Sequence, residues 1–120
     1  MRPLLFALAA LAAAAPVAAS NKGIPVATPT GDPVNCVQLN QIRQTYVRSD
    51  QVIDFEVQGK RMYRNTLPYA CPSLGFEERF AYSVSTGELC AVDTITVLQS
   101  TGGRGATCGL GKFQPVSVAK

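Results

Sequence analysis

Four cysteines constrain the fold of this chain more than any other feature of its sequence. Cys36, Cys71, Cys90 and Cys108 are far apart, and no two of them have the CxxC spacing of zinc knuckles, thioredoxin-like sites or c-type haem attachment. An even number of widely spaced cysteines in a short exported chain predicts two structural disulfides, each worth about 3–4 kcal/mol. Three pairings are open, and we favour Cys36 with Cys108 and Cys71 with Cys90.

Export is indicated by the start of the chain. Arg2 supplies a positive charge, Leu4 to Ala15 form an apolar run, and small residues precede a cleavage site before Ser20. Pro16 ends the run well short of the roughly 20 residues that span a bilayer. Residues 1–19 are therefore predicted to be a signal peptide, and the mature protein to be periplasmic or secreted, in an oxidising compartment and with no membrane span.

Composition excludes several classes of function. The formal net charge of +3 includes Arg2 and is too small for a nucleic-acid-binding protein. The chain has no histidine, which removes the commonest general base and metal ligand. The glycines near Lys112 do not form a phosphate loop, because Ala106 and Phe113 stand where Gly and Ser or Thr are required. We therefore predict no catalytic, cofactor-binding or metal-binding residues, and a protein that is not an enzyme.

The mature chain divides into two parts. Residues 20–35 are rich in Pro and Gly and predict a flexible arm. Residues 36–118 predict a single β domain, whose clearest element is a hairpin. In this hairpin Val52–Val57 alternates apolar and polar residues, Gln58–Lys60 forms the turn, and Arg61–Asn65 returns.

Weaker patterns follow this hairpin. A second hairpin is predicted from alternation in 80–84, a turn at 85–88, and a strand with one face formed by Leu89, Ala91, Asp93, Ile95 and Val97. After a glycine-rich loop, 100–106, a last strand is expected over 107–113 and should end at Pro115. Residues 37–46 fit a helix or a strand, and 72–78 fit one helical turn.

Together these patterns predict an all-β fold with room for one short helix. The expected architecture is a small, partly closed β-barrel or a bent antiparallel sheet of five to six strands, stapled by two disulfides. Of the two we favour the barrel, because an open sheet of this size leaves long edges exposed.

Asp93 is the acidic residue with the most distinctive predicted position. It shares the inward face of the strand that contains Ile95, so its carboxylate should be partly buried and should need Arg, Ser or backbone N–H partners. A structural role is expected rather than a catalytic one.

Basic and aromatic residues are concentrated before Thr66. Arg43, Arg61, Tyr63 and Arg64 define a possible binding face, for which an envelope protein, a glycan or an anionic envelope polymer would be the partner. Tyr46, Arg48 and Lys60 belong to the same region, and the acids Asp50, Asp54 and Glu56 would neutralise much of its charge.

The arrangement of the four cysteines and of several segments around them resembles that of a known family. The similarity covers 36–116 and includes Cys36, 50–55, 63–65, Cys71-Pro72, Leu89-Cys90 with Asp93, and 108–111. The family is a group of small exported proteobacterial proteins classed as a domain of unknown function. The resemblance implies an envelope or periplasmic location and brings no activity, ligand or catalytic residue.

Three functional hypotheses follow from the sequence. The first is a non-enzymatic periplasmic or secreted binding or structural module. The second is an inhibitor of a cell-wall hydrolase, with the loop Ser100 to Ala106 as the inhibitory segment. The third, from a different class, is a thiol-based redox protein using Cys71 or Cys90 with Asp93 nearby, which requires a free thiol of low pKa.

Overall fold

Strands account for most of the fold. A computed structural model describes residues 23–119, so the predicted signal peptide, residues 1–19, lies outside the described residues. The elements are β1 Ala27–Pro29, β2 Cys36–Gln38, β3 Ile42–Val47, β4 Val52–Val57, β5 Arg61–Thr66, α1 Leu74–Glu77, β6 Phe80–Ala81, β7 Glu88–Cys90, β8 Thr94–Leu98, β9 Arg104–Gly109 and β10 Phe113–Val118.

The strands form three antiparallel sheets. One has five strands in the order β1-β10-β5-β4-β3, the second pairs β2 with β7, and the third has the order β6-β8-β9. The predicted all-β class with one short helix is confirmed, and the sheets are not closed into a barrel. The described residues contain more than the expected five to six strands, because segments of two or three residues also pair.

The hairpin β4–β5 is confirmed, with its turn at the predicted residues 58–60. Phe55 lies opposite Tyr63, and the turn places Gly59 at φ 84° and Lys60 at φ 62°, a left-handed bend that glycine favours. One face of β4 is fully buried, with Ile53 and Phe55 at 0% exposure. The alternation of apolar residues therefore correctly predicts which face of β4 contacts the core.

The core lies between this face and the two smaller sheets. The ring of Phe55 packs edge-on against Phe113 of β10, with centroids 5.3 Å apart, and also against Phe80 of β6. Buried residues from all three sheets and from α1 complete the cluster: Val37, Ile53, Leu67, Cys71, Leu74, Leu89, Ile95, Val97 and Leu110. The three sheets therefore share one hydrophobic core.

Two disulfides are present, but the favoured pairing is wrong. Cys36 is bonded to Cys90, and Cys71 to Cys108. The first pair follows from strand pairing, because Cys36 and Cys90 lie directly opposite each other in β2 and β7. The second ties the loop before α1 to β9. The choice depended on which distant strands are neighbours, and cysteine spacing carries no information on that.

The second predicted hairpin is only partly confirmed: residues 80–81 pair antiparallel with the far part of the predicted partner strand, with Phe80 opposite Val97, but no hairpin closes at 85–88. The expected strand through Leu89 and Val97 is broken at 91–93, so that β7 pairs with β2, whereas β8 pairs with β6 and β9. The break is a tight turn in which the backbone N–H of Asp93 donates to the carbonyl of Cys90 at 2.9 Å. Since Cys90 is held to Cys36, the chain has to turn before it can join the other sheet.

The predicted arm and the predicted last strand both need correction. Ala27–Pro29, within the arm of residues 20–35, forms β1 and pairs with the end of β10. β9 ends at Gly109 and β10 begins at Phe113, so Pro115 lies inside a strand instead of ending one. Phe113 exchanges both backbone hydrogen bonds with Val34. Alternate residues of a strand point their backbone groups to the same side, so the backbone of Pro115, like that of Phe113, points away from β5. Proline has no backbone N–H, but at this position an N–H would not have bonded to β5.

The two ambiguous segments take different conformations. Residues 37–46 form the end of β2, a 3-10 turn at Leu39–Gln41 and most of β3. The predicted helical turn within 72–78 is confirmed as α1, which buries Leu74 at 0% exposure. The Asp50 carboxylate accepts from the backbone N–H of Gly75 at 2.7 Å and holds α1 against the five-stranded sheet.

Candidate functional site

The best candidate site is on the face of the five-stranded sheet that points away from the core, here called the outer face. Register places Val116, Met62 and Glu56 side by side across β10, β5 and β4. The next row along the strands contains Arg64, Asp54 and Tyr46. Residues opposite each other in antiparallel strands share a face, so both rows belong to this surface.

A buried carboxylate organises the centre of the outer face. Asp54 has no solvent exposure and accepts three charged hydrogen bonds. Arg64 donates two of them, from Nε at 2.7 Å and Nη2 at 2.9 Å, and Arg48 donates the third from Nε at 2.9 Å. This bidentate hydrogen bonding is the strongest geometry that an arginine and a carboxylate can form. The Asp54 cluster, meaning Asp54 with Arg48 and Arg64, is therefore rigid.

Tyr46 and Glu56 extend this network toward β3. The Tyr46 hydroxyl donates to the Glu56 carboxylate at 2.9 Å, and the Arg48 guanidinium lies 4.9 Å from the centre of the Tyr46 ring. The hydrogen bond to Glu56, with a smaller effect of burial, raises the pKa of the Tyr46 phenol above its ordinary value, and nearby Arg48 partly opposes this. Arg48 is thus fixed by an ion pair and by an aromatic ring.

A groove of about 750 Å³ runs across this surface. That volume is within the range of pockets that bind small molecules. Its apolar lining includes Met62, Val116 and Val118, and its charged lining consists of Arg48, Lys60, Arg61 and Glu56. Among the residues that line the groove, cations therefore outnumber anions.

The predicted binding face is only partly brought together. Arg61 and Tyr63 are among the residues that line the groove, but they lie opposite Val57 and Phe55 and so belong to the core side of β5, where the Arg61 Nη1 donates to the Tyr63 hydroxyl at 3.5 Å. Arg64 lies on the outer face, but its guanidinium is held by Asp54. Arg43 occupies an irregularity in the β3–β4 register and does not line the groove.

The apolar part of the groove was missed by sequence reasoning. Met62 was recognised only as one side of a hairpin, and Val116 and Val118 follow Pro115, where the last strand was expected to end. The pairing of Asp54 with Arg64 could have been predicted from the sequence, because the hairpin turn at 58–60 places these two residues opposite each other. Alternation predicted Asp54 as a polar position of β4, and gave no sign that it is fully buried.

Asp93 has the type of partner expected for a partly buried carboxylate. Its side chain is half-buried in the turn between β7 and β8, and Oδ2 accepts from the backbone N–H of Cys90 at 2.7 Å. The contact closes the turn next to the Cys36–Cys90 disulfide. Asp93 does not line the groove.

The cysteines offer no reactive thiol. All four lie in disulfides. Cys36, Glu88 and Cys90 are the one group of three potential metal ligands found in 23–119, but the two sulfurs are bonded to each other. The redox hypothesis requires a free thiol, and this arrangement does not supply one.

Gly111, in the glycine-containing segment near Lys112, has a structural role. Gly111 and Asn65 form a reciprocal pair, in which the Gly111 N–H donates to the Asn65 side chain at 2.8 Å and the Asn65 amide donates back to the Gly111 carbonyl at 2.8 Å. A Cβ at Gly111 would collide with the carbonyl of Thr66. This glycine is therefore required by close backbone approach.

Comparisons with protein-family models, with curated proteins and with solved structures found no match. Over the described part of the chain, the helical segments are too short to cross a bilayer.

Proposed function

We propose that this protein is an exported, non-enzymatic binding domain, and that the groove on its outer face receives an anionic component of the cell envelope. The observation that carries the proposal is the charge of the groove. Three cations, Arg48, Lys60 and Arg61, line it, whereas its walls carry one acid, Glu56.

Charges near a protein surface attract a ligand more strongly than the same charges in free water. A cation and an anion 4 Å apart attract by about 1 kcal/mol in water and by about 4 kcal/mol at the lower effective dielectric near a protein surface. Asp54 offsets only part of the attraction, because one carboxylate is shared by two guanidiniums, Arg48 and Arg64, which leaves the cluster with a net positive charge. The apolar floor adds contact area for a ligand that is more than a simple ion.

Export is supported by two features. Two disulfides indicate an oxidising environment, such as the periplasm or the exterior of the cell. The signal-like segment 1–19 supports delivery to such a compartment.

The test is a titration of the mature protein followed by amide chemical shifts. Hexaglutamate, dodecanoate and inorganic phosphate are added separately at constant ionic strength. At least one anion should shift the groove amides. Lys60→Gln/Arg61→Gln should weaken its binding by about tenfold, as expected for the loss of about 1.4 kcal/mol.

The matched control removes the same charge elsewhere. Arg43→Gln/Arg79→Gln changes two exposed arginines that do not line the groove, and it should leave the affinity unchanged. Equal weakening by both double variants would mean that only net charge matters. The proposal is wrong if none of the three anions shifts the groove amides.

Inhibition of a cell-wall hydrolase is a second candidate, favoured by exposed aromatic residues on a fixed loop. Tyr69 and Phe76 are 82% and 83% exposed. The Ser100 N–H donates to the Glu77 carboxylate at 2.9 Å and joins this loop to the glycine-rich segment 100–106. Large aromatic side chains on a preorganised loop are typical anchors of protein interfaces.

A panel of lysozymes tests this second candidate. The protein should inhibit at least one of them, and Phe76→Ser should abolish the inhibition. Val92→Ser, which changes another highly exposed apolar residue, is the control and should inhibit normally. Full activity of every lysozyme in the presence of the protein would remove this candidate.

A further inference from the structure

We propose, building on the anion-binding function above, that the groove binds a free single-chain amphiphile with one carboxylate, with the carboxylate on Arg48 and the chain on Met62, Val116 and Val118. The inference depends on three properties of the groove: a fixed guanidinium with an unused edge, an apolar floor, and a neighbouring acid that limits the charge of the ligand.

Arg48 is prepared to receive a carboxylate. Its Nε donates to Asp54, and its guanidinium carbon lies over the Tyr46 ring, 4.9 Å from the ring centre. Within residues 23–119 its two terminal nitrogens have no hydrogen-bond partner, although its side chain is only 22% exposed. The free edge of a guanidinium matches the two oxygens of a carboxylate. Because the group is already immobilised, little entropy is lost when a ligand binds.

The apolar floor is beside β10. Val116 lies directly opposite Met62, and Val118 is two residues further on the same face. The Arg48 guanidinium is bonded to Asp54 of β4, and neighbouring strands are about 4.8 Å apart, so the two spacings from β4 to β10 place the guanidinium about 10 Å across the sheet from the strand of the valines. An extended acyl chain spans this distance, whereas a compact anion reaches only one end of the groove.

Glu56 selects for a single negative charge. It lies opposite Met62 and accepts a hydrogen bond from the Tyr46 hydroxyl, next to the proposed position of the head group. A second charge on the head group would be repelled by this carboxylate. Lys60 and Arg61, at the hairpin end of the groove, are exposed and attract the ligand as it approaches.

Calorimetric titration of the mature, disulfide-bonded protein tests the assignment. Dodecanoate below its micellar concentration should bind once per protein, and about tenfold or more tightly than acetate, which lacks the chain. Dodecyltrimethylammonium and dodecyl phosphate should each bind more weakly than dodecanoate, the first because of its positive charge and the second because of its additional negative charge.

Two variants separate the head-group contact from the chain contact. Arg48→Lys retains the charge but loses the guanidinium edge, and should weaken dodecanoate by about tenfold. Met62→Gln removes apolar floor without touching the Asp54 cluster, and should weaken dodecanoate but not acetate. Val92→Gln, an exposed valine outside the groove, is the control. A melting curve for each variant establishes that it is folded.

The outcomes distinguish this inference from the proposed function. Groove binding by hexaglutamate or phosphate without binding of dodecanoate would overturn the inference and leave the function intact. Absence of binding by every anion would overturn both. Binding to dodecanoate-containing vesicles without binding to the free acid would identify a membrane surface as the partner instead of a free amphiphile, and would also overturn the inference.

Discussion

Replacing Asp54 with Asn is expected to destabilise the protein more than any other single change on the outer face. The substitution keeps the shape of the side chain but removes a carboxylate that has no solvent exposure. It also turns one acceptor into a donor that faces the donors of Arg48 and Arg64. Two guanidiniums would then lie next to each other without a counter-charge.

The expected loss can be estimated from the geometry. Removing one partner of a buried ion pair costs about 3–5 kcal/mol. Arg48 and Arg64 retain some access to water, with side chains 22% and 16% exposed, so we expect the lower limit, about 3 kcal/mol. For a domain of this size, that loss corresponds to a fall in Tm of about 12–24 °C.

Urea unfolding of the oxidised protein measures this loss directly. Glu56→Gln is the matched control, because it also neutralises an acid on the outer face but affects only the bond with Tyr46, whose hydroxyl can still donate to the amide oxygen, and it should cost about 1 kcal/mol or less. A loss below about 1 kcal/mol for Asp54→Asn would show that the buried ion pairs contribute little, and would refute the reasoning.

Three further predictions concern other parts of the fold. Tyr46 should ionise at higher pH than a free tyrosine, and Glu56→Gln should lower the pKa of Tyr46; ultraviolet absorbance measures both. The stability that the protonated phenol contributes is present below the unfolded-state pKa of about 10. It is lost as the pH rises through the higher pKa of the folded state. Asn65→Leu should cost about 2–3 kcal/mol in urea unfolding, because two buried hydrogen bonds are lost. Replacing Cys71 and Cys108 together by Ala should cost about 4 kcal/mol.

Each of these has a clear opposite outcome. A Tyr46 pKa unchanged by Glu56→Gln would mean that the hydrogen bond between the two side chains does not form in solution. Unaltered stability of Asn65→Leu would show that the exchange of bonds with Gly111 is dispensable. Peptide mapping under non-reducing conditions checks the cysteines, and links other than Cys36–Cys90 and Cys71–Cys108 would contradict the pairing.

Several elements of the fold were readable from local sequence. The hairpin at 52–66 follows from apolar alternation and from Gly59, because both depend on residues a few positions apart. The single helical turn near Leu74 and the presence of two disulfides were also predictable, the latter from the even number and wide spacing of the cysteines together with the export signal.

Only the tertiary structure decided which strands are neighbours. Alternation identifies the buried face of a strand but not the strand that pairs with it. The sequence therefore could not predict that Cys36 pairs with Cys90, or that 89–97 is divided between two sheets. The groove depends on the same information. Arg48, Met62 and Val116 are distant in the sequence and share one surface because β3, β4, β5 and β10 lie side by side, an arrangement determined by burial of a common core.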